Sequence, residues 1–215
     1  MTLFLILASV FLVVNTRTFY TDQYEKNKTE QATGMSVRDL DKATALLLDY
    51  LNDKRDDLDM TADKFGVSEQ VFDRREKTHM VDVKALYAGA GTAMVFFAAF
   101  SAATIFVLAR KTPKKDLPVL LKHGYKTAAI FTVVLALALA AAFTLGFDRF
   151  WTAFHHVFFT NDLWLLDPRT STMINMFPLE FFLAMCTRIL VVFLSLFALA
   201  GIFIELTEKK IRSKR

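Results

Sequence analysis

The sequence predicts an all-α integral membrane protein: a four-transmembrane-helix bundle with an extracellular helical region and an aromatic interfacial segment. Three observations lead there. Apolar residues fill 54% of the 215 positions and the mean hydropathy is +0.34. They gather into runs long enough, at 1.5 Å per residue, to cross the roughly 30 Å hydrocarbon core of a bilayer. Between the last two runs, the stretch Phe147 to Phe182 (FDRFWTAFHHVFFTNDLWLLDPRTSTMINMFPLEFF) mixes a dense set of rings with His155, His156, Asn161, Asp162 and Asp167. A spanning helix does not carry that many ionisable groups, each costing roughly 2.5–3.5 kcal/mol at the bilayer centre. Rings in the acyl region with polar tips toward the headgroups belong at the interface.

In chain order, Met1–Thr16 is a short apolar run without a basic n-region or a clear small-x-small cleavage site, and it reads as a retained anchor. The polar region 17–84 follows. Within it Ser36 and Asp39 open a helix as cap and early acid. Leu40, Ala43, Thr44, Leu47, Leu48 and Leu51 then recur at helical spacing, which predicts a helix over Ser36–Leu51. Asn52–Ser68 is expected as a loop holding at most a short helix. From Val71 the chain runs without Gly or Pro into the second span, 85–109, as an extension of that helix or a short helix above it. The third and fourth spans are 127–147 and 181–204, the last containing Arg188.

Charge sets the orientation. The loop 110–126 carries Arg110, Lys111, Lys114, Lys115, Lys122 and Lys126 against Asp116, and the tail 205–215 carries Lys209, Lys210, Arg212, Lys214 and Arg215. Short basic loops stay in the cytoplasm, so both termini are expected inside, and 17–84 and 148–180 outside. The net charge of +4 then meets anionic lipid rather than nucleic acid, for which no motif is present. Cys186 is the single cysteine, which excludes an internal disulfide, a CxxC redox centre and a cysteine-rich zinc site.

Candidate chemistry falls on the outer face. Glu76, His79 and Asp82 are spaced i, i+3, i+6, giving the imidazole a carboxylate one turn to either side, as a general base needs; a solvated helix with ordinary charge pairs is the plainer alternative. His155 and His156 point to different faces of one helix, so one of them faces a polar site and the other packs on aromatics or headgroups. Asn161, Asp162 and Asp167 carry turn and cap chemistry. Trp151 and Trp164 read as belt anchors or as contacts for a lipid substrate. Arg188 either pairs with Asp148, Asp162 or Glu180 or snorkels to the interface. His123, in the basic loop, is a bystander. There is no GxSxG elbow, HExxH or glycine-rich phosphate loop, and no cofactor is indicated. A metal on His79, His155 and a carboxylate has weak support.

The combination REKTHMVDVKALY before the second span, with FDRFWTAFHHVFFTNDLWLLDP and MINMFPLEFF between the third and fourth, resembles the lipoprotein intramolecular transacylase family (Lit) of low-GC Gram-positive bacteria. The resemblance covers nearly the whole chain. It implies a cell-membrane acyltransferase acting on diacylated lipoproteins, whose N-terminal cysteine carries a diacylglyceryl thioether. The sn-2 acyl chain passes from glycerol to the cysteine's own α-amine and leaves a lyso-form lipoprotein. It also implies two working histidines, His79 of EKTHM and His155 of FHHVFF; this sequence departs by placing a second histidine, His156, beside the latter. On this basis His79, oriented by Glu76 or Asp82, is expected as base and then acid. His155 is expected to serve the carbonyl or leaving oxygen, helped by Arg188 or Asn161, with Asp162 in support and His156, Trp151 and Trp164 toward the lipid. Two rivals stand beside it. One is a metal-dependent hydrolase using the same histidines; the other is a non-catalytic membrane scaffold, in which His79 and His155 lie far apart.

Overall fold

The computed structural model describes residues 1–144 and 146–213; Leu145 of the third predicted span and Lys214 and Arg215 of the basic tail lie outside the described residues. The element order is α1 (Thr2–Val14), α2 (Arg17–Lys26), α3 (Thr29–Thr33), α4 (Val37–Leu51), β1 (Thr61–Lys64), β2 (Val67–Gln70), α5 (Arg74–Lys111), α6 (Leu117–Thr144), α7 (Phe147–Phe158), α8 (Thr172–Met176) and α9 (Leu179–Arg212). The chain is nearly all-α. It divides into two compact units, one of Met1–Phe11, Gly91–Gly146 and Thr187–Arg215, the other of Leu12–Ala90 and Phe147–Cys186; α1, α5 and α9 contribute to both.

In the first unit many large apolar side chains face outward, although Phe193 and Phe197 are buried. Val95, Phe96, Phe100, Phe131 and Phe203 are 61–72% exposed, the reverse of a water-soluble core and the pattern expected where lipid is the solvent. Helices α5, α6 and α9 are each long and apolar enough to cross a membrane. α1 is only 13 residues long, about 20 Å at the helical rise, and reaches spanning length only if counted with α2, from which it is bent by 64°. Much of the expected loop 110–126 is helical, because α6 begins at Leu117. Its Lys122 bridges Glu205 at 2.6 Å and Glu208 at 2.9 Å on α9.

The second unit carries the soluble-type core. α4 forms as its pattern requires: the Ser36 hydroxyl accepts from the Asp39 amide at 3.2 Å and caps the helix. Leu40, Ala43, Thr44, Leu47 and Leu48 are buried. Directly after the bend, α2 buries Phe19, Tyr20 and Tyr24. Phe19 and Tyr20 pack on the Phe181 ring at 5.3 and 5.5 Å, and Tyr24 on Phe177 at 6.2 Å.

The expectation of a loop or short helix over Asn52–Ser68 is corrected: the segment holds β1 and leads into β2 as an antiparallel hairpin pairing Thr61 with Gln70 and Lys64 with Val67. Its two-residue turn, Phe65 (φ 57°) and Gly66 (φ 86°), has both residues in the left-handed region, the geometry that matches strand twist. The Asp63 carboxylate accepts from the Gly66 amide at 2.7 Å. Anchorage comes from Ala62 of β1 and from Leu58, Val71 and Phe72 flanking the strands, all buried.

Candidate active site

The start of α5 is fixed by a reciprocal cap. The Glu76 amide donates to the Asp73 carboxylate at 2.8 Å, and the Asp73 amide donates to Glu76 Oε2 at 2.6 Å, satisfying two of the donors that a helix N-terminus leaves open. Glu76 Oε1 accepts from the Ser171 hydroxyl at 2.5 Å and the Met173 amide at 2.7 Å. This carboxylate is 0% exposed. Both oxygens of Glu76, one of the two carboxylates expected to orient His79, are engaged in tying the first turn of α5 to the start of α8.

One turn on, α5 presents His79, which is 8% exposed. α7 presents His155 from the opposite side. Along FDRFWTAFHHVF, Phe147, Trp151, Phe154, His155 and Phe158 recur at helical spacing on one face. His155 is consequently 5% exposed, while His156 projects outward and meets the Trp164 ring in an edge-type contact at 5.3 Å. The two buried imidazoles lie 6.3 Å apart between ring centroids and are inclined by 34°. Phe159 stands edge-on to His79 at 5.2 Å and contacts His155 at 5.6 Å. Trp151 packs edge-on against His155 at 4.6 Å, and Trp164 stacks on it at 4.5 Å and 27°.

Each ring has a defined hydrogen-bonding state. His155 Nδ1 lies 2.7 Å from the Trp151 carbonyl. A carbonyl only accepts, so Nδ1 bears the proton and, in the neutral ring, Nε2 bears the lone pair. His79 Nδ1 is buried and has no hydrogen-bond partner among the described residues. A buried N–H without an acceptor is the costlier orphan, which favours the tautomer with the proton on Nε2. Burial, helped by the facing His155, pushes the His79 pKa down to about 4; Asp82 acts weakly the other way. Burial also lowers the His155 pKa, against the opposing effect of its bond to Trp151. Both rings are neutral at pH 7.

The histidines form part of the wall of a cavity of about 250 Å³. Leu47, Leu51, Met80, Leu86, Phe154, Met173, Phe181 and Met185 supply much of the remaining lining. Besides the imidazoles, the polar groups of its lining residues are the phenols of Tyr20 and Tyr87 and the Trp151 indole; among the described residues no serine, cysteine or carboxylate lines it. Such a chamber takes a hydrocarbon chain and offers one acceptor and one donor at its polar edge.

The other expected site residues sit as follows. Asp82 accepts from Asn161 Nδ2 at 2.8 Å, and the Asn161 carbonyl accepts from the Trp164 indole at 3.0 Å. Asp162 pairs with Arg75, 3.5 Å away. Asp167 is bound by Arg169 at 2.6 Å, a local turn pair. Arg188 belongs to the other compact unit from the two histidines. Among the described residues, no three His, Cys, Asp or Glu side chains converge as a metal-ligand set. Sequence reasoning missed Arg75 and Ser171. Arg75, i−4 from His79, had a periodicity signal available; Ser171, 95 residues from Glu76, had none.

The profile of the family described as lipoprotein intramolecular transacylase Lit matches residues 1–182. No curated protein matches the chain. Among solved structures, the membrane-integral lipoprotein intramolecular transacylase Lit from Bacillus cereus superposes with a TM-score of 0.79 at 21% identity, covering 99% of this chain and 92% of that one. Two forms of the same protein bearing a substituted histidine give 0.76 at 20% identity, covering 100% and 89%, for the arginine form. The alanine form gives 0.75 at 21% identity, covering 99% and 90%. At this identity the likeness is one of fold.

Proposed function

This chain belongs to the Lit family of lipoprotein intramolecular transacylases, and on that premise we propose that it moves the sn-2 acyl chain of a diacylglyceryl-cysteine lipoprotein onto that cysteine's own α-amine. The amine nitrogen attacks the sn-2 ester carbonyl and the tetrahedral adduct collapses. The C–O bond to glycerol breaks as the amide forms, and the ammonium proton ends on the freed glycerol oxygen. No water is consumed and no enzyme nucleophile is required, which agrees with a lining that has no serine or cysteine.

The observation that carries this reading is the pair of neutral imidazoles, 6.3 Å apart, in the wall of an apolar cavity. Their hydrogen bonding supports roles opposite to those suggested by the sequence. His155, with Nδ1–H held by the Trp151 carbonyl, offers Nε2 as the base that takes the proton from the amine and then returns it to the leaving oxygen. His79, with Nδ1 buried, offers Nε2–H to the carbonyl oxygen as negative charge develops there. The apolar cavity holds the acyl chain so that amine and ester stay in contact, replacing a search through the many conformations of a two-chain lipid. From the basic loop and tail we take both termini to be cytoplasmic and this site to lie on the extracellular face.

The test is mass spectrometry of a lipoprotein's N-terminal lipopeptide from a host with and without the chain. Conversion of the free-amine diacylglyceryl form to an N-acyl, monoacylglyceryl form of equal mass, lost in His79→Ala and His155→Ala while both variants still insert, is the expected result. An unchanged lipopeptide with the protein present in the membrane overturns it.

A further inference from the structure

The turn of α5 that carries His79 also grips the segment that covers His155. Arg75, His79 and Asp82 are spaced i, i+4, i+7 and share one helix face. The Arg75 guanidinium donates to the Asp162 carbonyl and lies 3.5 Å from its carboxylate. Asn161 Nδ2 donates to Asp82 Oδ2 at 2.8 Å. Asn161 is used fully: its Oδ1 accepts from the Leu163 amide at 3.1 Å and its carbonyl accepts from Trp164 Nε1 at 3.0 Å. These bonds close a tight turn whose last residue lays its indole flat on the His155 ring.

We propose that Arg75 is a positioning residue for the acyl transfer: together with Asp82 it clamps the 161–164 turn so that Trp164 covers His155 and holds its imidazole plane. This rests on the role assigned to His155 above. A single exposed ion pair is a weak restraint. Here, however, two charged groups on one rigid helix face grip adjacent residues of one turn, so the second contact is made at little further ordering cost. Trp151 and Trp164 then sandwich the ring between an edge-on and a stacked indole. The Trp151 carbonyl fixes one end of it, and without Trp164 one face of the base is free to tilt.

The experiment uses the full chain in detergent micelles with a diacylated lipopeptide as substrate, comparing Arg75→Ala and Arg75→Lys with wild type. Misplacing a reacting group by about 1 Å costs on the order of 100-fold. Arg75→Ala is therefore expected to lower kcat by roughly ten- to a hundredfold with little change in KM, since the apolar cavity is untouched. Arg75→Lys, a point charge without the forked donors, restores part of the loss. The second readout is independent of turnover. The chain has two tryptophans, so in a Trp151→Phe background Trp164 reports alone, and Arg75→Ala should make its emission more quenchable by acrylamide. Unchanged shielding of Trp164 in Arg75→Ala, or lost shielding with wild-type kcat, overturns the proposal. Full activity of His155→Ala overturns the underlying role of His155 and the proposal with it; that failure is told apart because the shielding of Trp164 is read without catalysis.

Discussion

Glu76 Oε1 accepts a 2.5 Å hydrogen bond from the hydroxyl of Ser171, 95 residues further along the chain. Through it, the turn of α5 just before His79 and the segment that places Met173 in the cavity wall become one piece. Both carboxylate oxygens are satisfied, so this buried group stabilises where an unpaired one would not.

Glu76→Ala orphans the Ser171 hydroxyl and the amides of Met173 and Asp73 together. At about 1–3 kcal/mol per unsatisfied buried group, the expected loss for the three is about 3–9 kcal/mol, visible as a large drop in the melting temperature of the protein in micelles. Glu76→Gln presents an NH₂ group where an acceptor is needed and loses less, about 1–3 kcal/mol. Equal melting of all three proteins would remove this tie between α5 and α8.

His155 and His156 are neighbours in sequence and opposites in environment. Removing a general base costs typically 10²- to 10⁴-fold, so His155→Ala is expected to lose lipopeptide conversion on that scale. His156→Ala, truncating an exposed ring that meets Trp164 edge-on, is expected to lose less than about tenfold. The two variants, assayed side by side by mass spectrometry, decide between the positions; the reverse ranking would reassign the base.

The pH dependence has a definite sign. The folded-state pKa of His79 is depressed from 6.5 to about 4 by burial, so the unfolded chain binds the proton more readily. Stability is fully present above pH 6.5 and is lost as pH falls from there toward 4. For His79 alone the loss is about 3 kcal/mol by pH 4, at 1.36 kcal/mol per unit. His155, lowered in the same direction, adds to it. Melting temperatures between pH 4 and pH 8 should decline on the acid side, and His79→Ala should flatten the decline; the same slope in that variant would exclude His79 as its source.

Gly66 occupies φ 86°, and a methyl group on its Cα would meet nothing within 4 Å. Its replacement by Ala therefore probes backbone strain alone, expected at about 1–2 kcal/mol without a packing contribution. Chemical denaturation of the variant measures it, and a loss near zero would mean that the hairpin turn relaxes.

What the sequence made legible follows from local physics. α4 and its cap carry the capping hydroxyl, the early acid and the apolar stripe between Ser36 and Leu51, and the helices of membrane-crossing length announce themselves by composition. The hairpin did not, because Thr61–Lys64 and Val67–Gln70 are mostly polar strands anchored by one small residue, Ala62, and by residues flanking them, and its turn signal, Phe65-Gly66, lacks the usual Asn or Asp. α2 was hidden by its mixed composition; only the packing of Phe19, Tyr20 and Tyr24 on Phe177 and Phe181 explains it. In the site, the helical face that buries His155 was written in the aromatic periodicity. For Glu76 the i, i+3 spacing to a histidine suggested a catalytic partner, while the Asp-x-x-Glu pattern of a helix cap was the signal for the bonds it makes with Asp73. Which imidazole carries its proton where depends on the Trp151 carbonyl and on burial, neither of which spacing encodes.

A chamber lined without serine or cysteine also decides how such a protein can be blocked. Reagents that trap an acyl-enzyme find no serine hydroxyl or cysteine thiol among the described lining residues, and Cys186, the single thiol of the sequence, is not one of them. Inhibition would have to be reversible and geometric: a molecule with one apolar tail, a tetrahedral centre bearing an oxyanion surrogate within reach of His79, and a protonated nitrogen directed at His155. Resistance would then arise first at residues that shape the tail's path, such as Leu47 or Met185, where a change in bulk leaves the imidazole pair intact.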